Sequence, residues 1–523
     1  MLGGGSFHYF GIKHSLRAFF EKVWSTVPSG HTFNLQLNFD GLPIFKSSSL
    51  QFWPVLGIVK NYIKIPVLIA LFCGCSKPNS LSEYLSALVN ELKTIGKGFP
   101  VKGKTFFITL SSVVCDAPAR AFIKGIKSHT GYHSCDKCVQ KGVYVNHRMT
   151  FPETTASLRT GESFKTLDDD AHHVESSPLS EIIDMIKGFP HDYMHLVCLG
   201  VMRRLLGLWI GSNGPLQCRV SASQVSLISD KLVALRGFIP NEFARKPRSL
   251  FERLRWKATE LRQFLLYTGP VVLREILHSE VYQNFMLLSV GIYILASPEY
   301  CSTMNDFANS LLVAFVKHFS ELYGPEFVSY NVHGLTHLSQ DVKVHGSLDV
   351  ISGFPFENYL RKLKKMVRRP HCPLTQVIRR ISELDFLHLN SDFSIHPQKR
   401  FKMQHSDGPV PLHFEVVLQF KEVEFNGFVI KVSTGDSCIK IDNKIVIVQN
   451  IIVHEDREYV VCQEYQHKAI FFEYPIDSSC LGIFVVSKLS PNLHCLPIGS
   501  GMLKYVRLPL DDKYLVIPLL HIQ

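Results

Sequence analysis

Thr32 to Gly41 reads TFNLQLNFDG, with Phe33, Leu35, Leu37 and Phe39 on one face and polar residues between them. That alternation is the period-two signature of a half-buried strand. Asp40 stands at its end and Gly41 follows. By itself an Asp in that place is more often a turn residue than a ligand. What lies on either side decides which it is.

Upstream, Phe10, Leu16, Phe19, Phe20, Val23 and Trp24 recur at helical spacing, which predicts an N-terminal helix over residues 7–27, within a first segment 1–30. Downstream, the apolar runs Phe52 to Val59 and Ile65 to Phe72 predict two more strands, joined through Lys60, Asn61 and Tyr62. Asn79-Ser80-Leu81-Ser82-Glu83 is a capping signature that opens a helix as far as Ile95, with Tyr84, Leu85, Leu88 and Leu92 as its buried stripe. Thr105 to Val114 is the fourth strand, and it delivers Asp116 at its end as the first delivers Asp40. Three antiparallel strands, a helix and a fourth strand bearing a second acid is the order of a ribonuclease H-like fold. In that fold the first and fourth strands are neighbours, so the two acids are expected to share a metal.

The third acid is sought in Asn331 to Glu357, NVHGLTHLSQDVKVHGSLDVISGFPFE. Glu357 opens a helix closed by Pro370, and carboxylates of two Asp and one Glu with open positions suit Mg2+ or Mn2+. Phosphodiester transfer needs such a pair of ions. A softer set accompanies them: Cys135 and Cys138 in a Cys-x-x-Cys, with His333 and His337 four apart, the donors of a closed structural Zn2+ site. Zinc there would tie the segment after Asp116 to the segment before Glu357. The Cys pair alone could be coincidence among 13 cysteines, and the His pair unremarkable among 24 histidines; their joint placement carries the reading.

The layout is therefore an α/β chain: a first part of the core over 31–145, a mainly helical insertion over 146–345 and the helix with the third acid over 346–385. Within the insertion, helices are expected at Leu179 to Ile186, Met194 to Trp209, Ser223 to Leu235, Leu250 to Thr268, Leu273 to Glu280, Tyr282 to Ala296 and Cys301 to Tyr323. A linker is expected over 386–412, then an all-β module over 413–523, with turn signals at Asn426-Gly427, Asp442-Asn443 and Asp511-Asp512.

The formal charge is +11, which favours a polyanionic partner. Arg361, Lys362, Lys364, Lys365, Arg368 and Arg369 follow Glu357 and read as phosphate contacts, with a solvated basic face as the alternative. Arg120 and Lys124 are expected on the exposed face of a short helix after Asp116, Arg120 touching DNA. The odd cysteine number does not suggest a disulfide framework. No secretory signal opens the chain, and its longest apolar runs fall short of the ~20 residues of a membrane helix. A soluble intracellular protein with no membrane partner is expected.

On these residues the chain resembles the catalytic region of a DDE transposase of the CACTA type, the En/Spm, Tnp2-like group, and is similar in layout to the catalytic core of the V(D)J recombinase. The resemblance runs through NFDGLPIFKSSSLQFWPVLG around Asp40, CDAPARAFIKGIKSHTGYHSCDKC after Asp116, FPHDYMHLVCLGVMRRLLGLW around His195, and Glu357. It implies hydrolysis at a transposon end and strand transfer into target DNA, a nuclear location and a homodimer. It also implies a supporting role for Asp192 and His195, which could equally be a helix start with Asp192 as its cap. Family members carry an N-terminal reader of the element's ends; with the first strand at residue 32, a truncated copy, a domesticated derivative or the catalytic half of a two-part system is expected. The alternatives are a catalytically retired DNA- or chromatin-binding derivative, and a nuclease acting on RNA.

Overall fold

The alternation of Thr32–Phe39 does become a strand, and the rest of one sheet is built around it. A computed structural model describes residues 2–389, 399–411, 414, 417–425, 427–499 and 501–520. The chain falls into two compact units, Met1–Val197 with Gly324–Ile395, and Cys198–Tyr323 with His396–Gln523.

The first unit holds β1 (Gly5–Tyr9), β2 (Thr32–Phe39), β3 (Leu42–Pro43), β4 (Gln51–Val59), β5 (Val67–Gly74), β6 (Phe99–Val101) and β7 (Lys104–Cys115), in the order β1-β5-β4-β2-β7-β6 with β3 beside β4. All neighbours are antiparallel except β2 and β7, which run parallel with Phe39 opposite Cys115. The sheet is covered on both faces. On one side Phe33, Leu35, Leu37 and Phe39 pack with Tyr84, Leu85, Leu88 and Leu92 of the helix Leu81–Ile95. The Ser80 hydroxyl caps that helix by accepting from the Glu83 N–H at 3.2 Å. On the other side Phe52, Leu56, Leu68 and Leu71 meet Phe356, Leu360 and Leu363 of the helix Phe354–Lys365. Burying each of those side chains contributes about 1.5–3 kcal/mol, and it fixes the helix that carries Glu357.

Several expectations need correction. Residues 7–9 belong to β1, because Gly5–Tyr9 pairs with β5, and helix begins only at Ile12. A hairpin, β8 (Val143–Val145) and β9 (Arg148–Thr150), turns through Asn146 and His147, both at positive φ, where the mainly helical stretch was expected to begin. Leu179 to Ile186 is a single 3-10 turn, Pro178–Glu181, since the Asp184 carboxylate captures the N–H groups of Ile186 and Lys187 instead of leaving them to a helix. Leu273 to Glu280 does not form one helix: Glu275 sits at φ 66°, and the next helix starts at Ser279.

In the second unit, Ser279–Ala296 is buried almost all round and Asn305–Tyr323 packs along it. Of the stretch expected as an insertion, Cys198–Tyr323 belongs to this unit, whereas His333 and His337 belong to the first. The C-terminal part holds β10 (Arg400–His405), β11 (Leu418–Glu424), β12 (Val429–Lys431), β13 (Cys438–Ile441), β14 (Lys444–His454), β15 (Arg457–Ala469), β16 (Phe484–Leu489), β17 (His494–Pro497), β18 (Leu503–Leu510) and β19 (Lys513–Pro518). Antiparallel pairings β14-β13-β18-β19-β16-β15 return to β14, closing a ring. A ring leaves those strands no free edge. The expected linker is partly strand: β10 pairs with β11, while residues 390–398 and 412 of that linker and Asn426 of a turn signal lie outside the described residues.

Candidate functional site

The parallel register of β2 and β7 brings Asp40 and Asp116, each one residue past its strand, to adjacent positions at one end of the sheet. Asp116 caps the helix Ala117–Lys124, its Oδ1 accepting from the Ala119 N–H at 2.8 Å. Among the described residues no hydrogen bond engages its second oxygen. Burial, then repulsion from Asp116 and from Glu357, pushes the Asp40 carboxyl up to about 7, against the pull of His195 and of the Gly41 N–H. Asp40 therefore feels the charge of Asp116, His195 and Glu357. Glu357 itself is exposed, on the first turn of its helix.

His195 lies at the start of a π-helical stretch, Met194–Met202. Burial opposes its charged form, but Asp192, and behind it Asp116 and Asp40, carry its pKa up to about 9. Its Nδ1 is 2.5 Å from Asp192 Oδ2. Asp192 Oδ1 accepts from the N–H of Met194 at 2.9 Å and of Gly353 at 2.7 Å. Asp192 is thus more than a helix cap: it joins the His195 segment to the turn before Glu357. Asp116, Asp192 and His195 line one small cleft.

Cys135, Cys138, His333 and His337 come together as a buried set whose ligand atoms all lie within 4.8 Å of one another. Cys135 Sγ is 3.5 Å from Cys138 Sγ and 3.5 Å from His337 Nε2, Cys138 Sγ is 3.3 Å from His333 Nε2, and the two Nε2 atoms are 3.2 Å apart. A tetrahedron with bonds of ~2.0–2.3 Å has edges of roughly 3.3–3.8 Å, so the soft donor set fits a metal such as zinc. Burial disfavours a thiolate, yet the Cys138 thiol and the imidazoles hold Cys135 well below its ordinary value. The Arg159 Nε–H donates to the carbonyls of Cys135 and Cys138, each at 3.1 Å, and His333 Nδ1 meets the Glu153 carbonyl at 3.1 Å, fixing its ring. Among the described residues no comparable cluster forms from the three carboxylates.

Between the two sites lies a buried polar network that the sequence reading missed. Asp136, inside the Cys-x-x-Cys, accepts from Arg120 at 3.1 Å, Lys124 at 2.8 Å and the Tyr330 hydroxyl at 3.2 Å. Lys137 donates to Asp341 at 2.6 Å, and Asp341 Oδ2 accepts from His191 through both its backbone N–H, at 2.8 Å, and its Nδ1, at 2.9 Å. The His191 ring lies parallel to that of His337, 6.1 Å away. Arg120 is a correction: expected to face DNA, it is 2% exposed and also donates to the carbonyls of Phe189 and Pro190. Lys124, expected exposed, is fully buried, which lowers its pKa to about 8 against the pull of Asp136. Two charged residues between paired cysteines, Asp136 and Lys137, were the available signal.

Arg361, Lys362, Lys364 and Lys365 are exposed opposite the apolar face of their helix, which ends at Lys365 and not at Pro370 as expected; Arg368 and Arg369, also exposed, lie beyond its end. Lys364 also donates to the Pro43 carbonyl at 2.7 Å. Among the described residues no helix is long and apolar enough to cross a membrane.

Residues 404–519, within the β-rich part, match the family described as Domain of unknown function (DUF8592). None of the curated proteins matches the chain.

Proposed function

We propose that this chain is the catalytic region of a DDE-type transposase of the CACTA kind, built on a ribonuclease H-like core, that cuts and joins DNA. Asp40, Asp116 and Glu357 would hold Mg2+ or Mn2+, and Cys135, Cys138, His333 and His337 a structural Zn2+. The observation that carries the reading is the pairing of Asp40 with Asp116 across parallel strands, where burial first, and then repulsion from Asp116 and Glu357, raises the Asp40 carboxyl. Crowded carboxylates with oxygens to spare are what divalent cations neutralise. When bound, a pair of such ions activates the attacking oxygen and stabilises the leaving one of a phosphodiester. His195, kept cationic by Asp192, offers a donor to a phosphate oxygen beside the acids. The basic face after Glu357 meets the strand's backbone without reading its sequence.

A second reading, a transposase-derived DNA- or chromatin-binding protein without catalysis, is favoured by the exposure of Glu357 and the looser grouping of the acids. Incubating labelled duplex with the full chain and Mn2+ separates the two. The first reading expects nicking that disappears in Asp116→Asn; binding without nicking in the unaltered chain would select the second.

A further inference from the structure

In the second unit, the segment RKPRSLFERLRWK presents Arg245, Lys246, Arg248, Arg253, Arg255 and Lys257 against the single acid Glu252. Its centre, Leu250–Arg255, is a 3-10 helix. With about three residues per turn, Phe251 and Leu254 stand on the same edge, 65% and 84% exposed. This is a built ridge and not a frayed loop. Leu250 and Trp256 are buried on either side, the Leu250 N–H donates to Ser229 Oγ at 3.1 Å and Ser249 Oγ accepts from the Phe251 N–H at 3.2 Å. Arg248 grips Glu260 at 2.5 Å, Glu252 at 3.0 Å and the Arg255 carbonyl at 3.0 Å. Both nearby acids are thereby taken up. Among the described residues no acid pairs with the side chains of Arg253 or Arg255.

Single exposed apolar residues need no explanation, but an adjacent pair on a rigid turn flanked by unpaired guanidinium groups does. With cations on both sides of the pair and the nearby acids engaged by Arg248, charge favours a polyanionic partner. An apolar edge two side chains wide, with cations beside it, matches the section of a base step between its phosphates. We propose that Phe251 and Leu254 form a wedge that enters an interrupted base stack of DNA, with Arg253 and Arg255 on the flanking phosphates. The choice of DNA rests on the function proposed above; the wedge itself does not depend on the acids or on metal.

The test uses the full chain in EDTA and a nicked duplex with 2-aminopurine beside the nick. Emission is expected to rise on binding as the base unstacks. Phe251→Ala with Leu254→Ala should abolish most of that rise and weaken binding roughly 10-fold, with an unchanged melting temperature because both side chains are exposed. Arg253→Gln with Arg255→Gln should weaken binding and reduce the slope of log affinity on log salt by about 2. No rise with the unaltered chain, or a double alanine variant equal to it in both emission and affinity, would overturn the proposal. So would self-association in sedimentation that only the alanine variant loses, since the ridge would then be a contact between copies. Because the readout is metal-free binding, a chain that never cuts DNA can still pass, and a cutting chain can fail.

Discussion

The Gly353 N–H donates to Asp192 Oδ1 at 2.7 Å, and a Cβ at position 353 would stand 2.5 Å from Asp192 Oδ2. The carboxylate that holds His195 is therefore seated against bare backbone, one turn before Glu357. Gly353→Ala should push Asp192 away and shift both His195 and Glu357 from Asp40. Misplacement by about 1 Å can cost ~100-fold in rate. The expected result is a fall of that order in DNA nicking with zinc content unchanged; full activity would show that the contact positions nothing.

Asp40 sets a pH dependence whose sign follows from its raised pKa. The folded chain keeps this proton up to about 7, whereas the unfolded chain loses it near 3.8. Stability is therefore lost as pH climbs between those values. In EDTA, Asp40→Asn should melt higher than the unaltered chain at pH 8 and no higher at pH 4. Added Mn2+ should raise the melting temperature of the unaltered chain at pH 8, and that of Asp40→Asn much less. Equal responses in thermal scans would mean that Asp40 is not a ligand.

Removing one soft donor tests the Cys and His cluster. Cys135→Ser is expected to lose close to one equivalent of zinc by elemental analysis and to melt lower, because binding energy at such a site is folding energy. Chelation of the unaltered chain should reproduce the drop. A chain purified without metal and indifferent to added zinc would contradict the assignment.

Arg120 and the basic helix should separate cleanly. Arg120→Met leaves Asp136 buried with one partner fewer, and breaking such a pair costs about 3–5 kcal/mol; denaturant unfolding measures it. The salt slope of DNA binding should not change. Arg361→Gln with Lys362→Gln should do the opposite, leaving stability alone and lowering that slope by about 2.

How much was legible in the chain follows from which forces are local. The strand at Thr32, the Ser80 cap and the helix to Ile95 were readable because alternation, helical spacing and a capping hydroxyl act over a few residues. The Cys and His donors that come together were readable because few other side chains make soft ligands. That β2 and β7 are neighbours was expected from the order of elements; tertiary structure alone set their register, Phe39 opposite Cys115, and decided that the helix of Glu357 packs on the opposite face from Leu81–Ile95. It alone buried Arg120, whose place on its own helix gave no hint of Asp136, because an ion pair between distant residues depends on what the fold encloses. Pattern in a sequence reports how each segment meets water; which charges meet one another is settled only when those segments pack.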